Sequence, residues 1–223
     1  MERLKEIIYS SFFTQLLMLL SALVACILSV VHRRKFPELK FIGLYPMASL
    51  VQGIVTYYTW IFKENRRVDL MSESLFIAFE FMILYFFFQK IIIISRFKLF
   101  IRMIFFSHIT YIILMWTFAD AFHLYTQKIY LVDSLCVLSF CFIYLFQLFR
   151  LPPELDLLNN PPFWITIGCL FYFSCTIPLF FAESILRSLP QYYTIYSINF
   201  LAYTFLFAFI SKAFLCTPTA KKS

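Results

Sequence analysis

A chain of 223 residues that is 62% hydrophobic and only 14% charged is not an ordinary soluble domain, which is nearer half apolar and a quarter charged. It holds 31 Phe and 14 Tyr against 3 Gly, and its apolar residues come in long blocks with no loop above about a dozen residues, which leaves no room for a soluble domain. The net charge of +7 would point to nucleic acid in a soluble protein, but these basic residues stand beside apolar blocks, where membrane topology and contact with the lipid bilayer explain them.

The blocks predict an all-α, polytopic transmembrane bundle of seven spans in one domain covering 1–223. The first span runs over about 7–31 and stops at His32-Arg33-Arg34-Lys35. Inside it, Leu23-Val24-Ala25-Cys26 has the look of a lipoprotein processing box. The apolar residues after it argue for an uncleaved helix instead. Span two covers about 41–62, with Pro46 in its first turns, where proline does least harm. Span three, about 70–94, is long enough to cross a bilayer yet carries Glu73 and Glu80. The two lie seven residues apart, so a helix puts them on one face. Span four, about 97–118, contains Arg102 and His108, and span five, about 129–149, contains Asp133 and Gln147. The most polar stretch, Arg150 to Asn160, precedes span six at about 162–182, with Asn160 as its N-cap and Pro161 or Pro162 in the first turn. Span seven covers about 191–216.

Seven spans put the two ends on opposite sides. With the amino terminus outside, twelve Lys and Arg fall on inner segments and seven on outer ones, which favours amino terminus out and carboxy terminus in. The six cysteines form no CxxC pair and read as small buried hydrophobes, neither a disulfide framework nor a metal site. The three histidines, His32, His108 and His123, fall at three depths and cannot share a metal.

An ionisable group inside a span costs roughly 2.5–3.5 kcal/mol on insertion scales, so Glu80 is a functional-site candidate, lining a pocket or carrying a proton. Depth counting places His108 at the same level on the antiparallel neighbour, which makes a Glu80–His108 pair the expectation. Gln52, Asn199 and Tyr203 fall near the midplane of their own spans and join this ligand-binding or proton-carrying set. Glu73, Asp133 and Glu183 lie nearer the outer ends and form an expected acidic outer vestibule. Helix-to-helix hydrogen bonding, worth about 0.6 kcal/mol per pair, is the plain alternative for each.

Retinal is the cofactor a lysine in a seventh span brings to mind. Lys212 stands only about four residues from the inner end, and Ala208 occupies the place of the acidic partner one turn earlier, so no cofactor is expected. HExxH and GxSxG are absent, and no catalytic residue is assigned.

Glu80-Phe81 in an aromatic third span, the stretch LLNNPPFWITIGCLFYF from Leu157 to Phe173, and Asn199 with Tyr203 resemble an uncharacterised family of small bacterial seven-helix integral membrane proteins. That family is similar to the membrane sensing regions of some histidine kinases. The resemblance implies a multi-pass protein of the bacterial inner membrane with a sensory role, and it supplies no catalytic residues. With no kinase-like output region here, the signal would pass to a protein partner through the basic inner loops. The expected function is therefore a non-enzymatic sensor of a small or lipophilic ligand. A proton-coupled or small-solute transporter using Glu80 is the alternative, and a lipid-modifying intramembrane enzyme comes third.

Overall fold

The computed structural model describes residues 2–32, 35–36, 39–62, 66–118, 122–150, 156–186 and 192–216. Side chains are described within these except at 2–11, 57, 59–62, 66–71, 118, 122–127, 182–186 and 192–196. Among the described residues there are seven α-helices and no strand: α1 Glu2–His32, α2 Leu44–Phe62, α3 Arg66–Ile91, α4 Ser95–Phe118, α5 Phe122–Phe149, α6 Pro161–Leu186 and α7 Tyr192–Leu215. A 3-10 turn, Leu157–Asn159, precedes α6.

Six of these helices are long and apolar enough to cross a membrane. The remaining one, α2, is 19 residues long, and its described apolar run is Leu44–Thr56. The outward faces are as apolar as the interior: Val31 is 67% exposed, Val51 62% and Ile113 56%. In water such a surface would aggregate, whereas lipid tails satisfy it without cost. An integral membrane protein is what these faces fit.

The helix ends differ from the hydropathy boundaries because hydropathy marks the bilayer and not the helix. α5 starts at Phe122, seven residues before the predicted 129, and α3 runs Arg66–Ile91 in place of 70–94. The apolar run that reads as the end of span three is in fact broken. Ile92, Ile93 and Ile94 leave the helix, and α4 opens at Ser95. Gln147 of α5 holds this break. Its Oε1 accepts the backbone N–H of Ile93 at 2.7 Å and that of Ile94 at 3.3 Å, and its Nε2 donates to the Ile91 carbonyl at 3.4 Å. Gln89 adds a bond from Nε2 to the Lys98 carbonyl at 2.9 Å. Backbone groups released from a helix inside an apolar bundle must find such partners.

The helices form a closed ring in the order α1, α2, α3, α5, α6, α7 and back to α1, while α4 packs on α3 and α5 from outside. Two glycines permit close approaches within the ring. A Cβ on Gly168 would sit 2.9 Å from Cβ of Phe209, and one on Gly53 would sit 2.5 Å from Cδ2 of Leu19. The seam to α4 is aromatic: Tyr85 stacks on Phe105 at 3.8 Å and Phe81 on Phe105 at 5.8 Å.

Candidate functional site

Successive helical residues diverge by about 100°. Glu80 and Phe81 therefore serve different places. Glu80 turns into the ring, where it is fully buried and accepts a hydrogen bond from the Tyr45 hydroxyl of α2. Tyr45 packs against Phe76 of α3 and Phe207 of α7, at 6.4 and 5.7 Å between ring centroids. α2 and α7 are not neighbours around the ring, so these side chains fill its centre. Tyr203 continues the cluster, 6.0 Å from Phe207 and 4.1 Å from Tyr172 of α6. The second carboxyl oxygen of Glu80, the hydroxyls of Tyr172 and Tyr203, and Oδ1 of Asn199 are all buried without a hydrogen-bond partner.

Phe81 turns the other way, into the seam of α3, α4 and α5. It meets His108 edge-on at 4.2 Å and Phe140 of α5 at 5.7 Å. His108 and Phe81 thus share a depth, but the partner of His108 is not Glu80. Its Nε2 lies 3.3 Å from Oδ1 of Asp133, with both side chains fully buried. The approach lacks the alignment of a full hydrogen bond, and Nδ1 of His108 has no partner. Asp133, expected in an outer acidic layer, belongs to this inner level. Because α5 begins at Phe122, Asp133 stands eleven residues into the helix, about three turns from its start.

The remaining candidates spread out. Gln52 is half-buried and ties α2 to α3, donating to Ser72 at 3.4 Å and to Thr56 at 3.3 Å. Glu73 is half-buried one face-repeat from Glu80, within electrostatic range of Tyr130. The Glu183 side chain lies outside the described residues. Lys212 is exposed, its Nζ 5.8 Å from the Trp164 ring, on a different side of α7 from buried Tyr203 and Phe207. Among the described residues, no group of three or more His, Cys, Asp and Glu side chains could hold a metal ion, and all six cysteines are free thiols.

Among the described residues, two of the grooves on the outer surface are of ligand size. One, about 430 Å³, opens between α4 and α5 and is lined by Met103, Ile104, Ser107, His108, Tyr111, Val132 and Cys136. Its volume falls within the usual range of small-molecule sites. The other, about 540 Å³, is lined only by apolar residues such as Phe97, Phe142 and Phe146. Nothing polar in it can orient a ligand.

Sequence reasoning missed Tyr45 and Gln147. Both carried a signal, since a buried tyrosine hydroxyl or amide needs a partner. For Tyr45 that partner had to lie on another helix. Compared with known protein families, with characterised proteins and with solved structures, the chain finds no match in any of the three.

Proposed function

We propose that this chain is a seven-span sensor of a small lipophilic ligand, with its amino terminus outside and its carboxy terminus inside. The groove between α4 and α5 carries this reading. It is of ligand size, it faces the apolar surroundings, and His108 beside it approaches Asp133 inside the bundle at 3.3 Å. The 19 residues of α2 rise roughly 28 Å, close to the thickness of a bilayer core, which supports a seventh crossing. The excess of Lys and Arg on the inner segments supports the orientation. The resemblance to kinase sensing regions supports both a bacterial inner membrane and a signalling role.

The mechanism is a population shift. α4 packs chiefly on α3 and α5, so a ligand wedged at its seam with α5 stabilises one position of α4 over another. Arg96 and Lys98 stand at the start of α4 and Arg150 just past the end of α5, at the same end of that seam. A shift of α4 there changes the basic surface offered to an inner protein partner. No covalent step is needed.

The test is native mass spectrometry with lipid extraction on wild type and Val132→Trp, which fills the groove. A lipophilic species at near one-to-one occupancy in wild type and lost from the variant is expected. Wild-type protein free of any such species overturns the proposal.

A transporter reading draws on a different observation. Glu80, Tyr172 and Tyr203 present unpartnered polar atoms at the centre of the ring, where water could connect them. Proton-coupled flux in liposomes that disappears in Glu80→Gln would favour that reading over the sensor.

A further inference from the structure

The seam of α4 and α5 opens a second time, toward the end where α4 begins. This groove, about 540 Å³, is lined by Phe97 of α4 and by Phe142, Ile143, Leu145, Phe146 and Phe149 of α5. Phe142 and Phe149 are seven residues apart on one helix, so the groove runs about 10 Å along α5. That is about two-thirds of the hydrocarbon depth of one leaflet, roughly 15 Å. Phe142 is 60% exposed and Phe149 84%, so a molecule in the surrounding lipid reaches the groove with no opening of the bundle.

The lining is wholly apolar, and the charge stands at its end. Arg150, exposed just past the end of α5, lays its guanidinium over the Phe146 ring, 4.2 Å from the centroid. A guanidinium seated on a ring face keeps N–H donors along its edge, where they match phosphate oxygens. Arg96 and Lys98 flank Phe97 in the first turn of α4, and that amino-terminal end adds a partial positive charge of its own. Among the described residues, no carboxylate forms an ion pair with Arg96, Lys98 or Arg150.

These two features select the occupant. An acyl chain fits the apolar run, and an anionic headgroup meets the unpaired cations at its end. A zwitterionic headgroup would bring an ammonium that the same cations repel. A second copy of the chain docked here about a two-fold axis would set Arg96, Lys98 and Arg150 near their own counterparts, like charge against like.

We propose that this groove binds one anionic phospholipid, with an acyl chain along Phe142–Phe149 and the phosphate on Arg150. The site needs the bundle to lie in a membrane, and it stands whether or not the first groove takes a ligand. A lipid held there touches α4 and α5 together, so the charge of the leaflet bears on the seam between them.

The test uses trace photoreactive phosphatidylglycerol and phosphatidylcholine that carry the same diazirine on the same acyl chain. The full chain in phosphatidylcholine nanodiscs is irradiated, and labelling is mapped by mass spectrometry on peptides covering 96–98 and 142–150. Phosphatidylglycerol is expected to label them about tenfold more than phosphatidylcholine. Arg150→Gln should cut phosphatidylglycerol labelling about fivefold, the worth of one basic residue near an anionic headgroup, and leave phosphatidylcholine labelling unchanged. The Arg150 side chain is exposed, so this variant should melt in detergent as wild type does. Lys40→Gln, at an exposed lysine between α1 and α2, should change neither labelling. Equal labelling by the two lipids overturns the proposal and leaves an unselective acyl groove. Unchanged labelling in Arg150→Gln overturns it as well, and an equal loss in Lys40→Gln shows diffuse attraction in place of a site. No labelling of the groove by either lipid also overturns it, and a doubled mass in native mass spectrometry would then assign the groove to a second copy.

Discussion

The six-helix ring and the helix outside it differ in kind. In α3, half of the membrane-crossing window is buried, whereas in α4 only 17% is. The ring closes on itself through glycine-permitted contacts and a central cluster of Tyr45, Glu80, Tyr172, Tyr203 and Phe207. α4 is held by aromatic stacking along one face and by a glutamine at the break before it. Without a hydrophobic effect between helices in lipid, contact area and hydrogen bonds decide what holds. The ring has packing contacts around its full circumference and hydrogen bonds between α2 and α3, and α4 has its contacts on one side.

That contrast breaks most visibly at Gly168. Substitution to leucine forces a side chain into the space between α6 and α7, where Phe209 already stands 2.9 Å from the position of a Cβ. The expected cost is about 3 kcal/mol, seen as a fall of roughly 6–12 °C in melting temperature in detergent. Ile113→Leu on the exposed side of α4 should change stability by less than about 0.5 kcal/mol. Equal effects at the two sites would remove the distinction between ring and outer helix.

The centre of the ring gives the next largest effect. Tyr45→Phe leaves a second buried oxygen of Glu80 without a partner and should cost about 1–3 kcal/mol. Combining it with Glu80→Leu should restore most of the loss, because both polar groups are then gone. Additive losses in the double variant would show that the two side chains stabilise the ring independently.

The sequence made the helices and their apolar nature legible because both are local properties. Depth was legible too, since counting along two antiparallel spans brought Glu80 and His108 to one level, and Phe81, next to Glu80 in sequence, touches His108. Rotation about each helix axis was not. A polytopic helix is apolar on its lipid face and on its inner face alike, so periodicity carries little information on which side a polar residue turns. Glu80 and Phe81 are adjacent in sequence, yet one serves the ring and the other the α4 seam. The partner of His108 followed from the same blindness. Asp133 read as an outer residue because hydropathy began the fifth span seven residues late. The ring order, which sets α5 beside α3 and leaves α4 outside, is a long-range property that no local pattern encodes.

The smallest effect is expected at Gln147, and it separates the two regions most sharply. Gln147→Leu keeps the side-chain volume close to the original and removes the acceptor for the Ile93 and Ile94 amides. In a single cooperative bundle that loss would lower the melting temperature as Tyr45→Phe does. If α4 is a separate cooperative unit, the cost falls on its own opening equilibrium instead. Hydrogen exchange in the peptide covering 92–104 should then quicken by about tenfold, the equivalent of one buried hydrogen bond at about 1.4 kcal/mol. Exchange in α6 and α7 should stay as in wild type, and the melting temperature should move by no more than about 2 °C. Uniform acceleration across all helices would show that α4 unfolds with the ring. A ligand at its seam would then have no independent element to move, and the population shift proposed for signalling would lose its moving part.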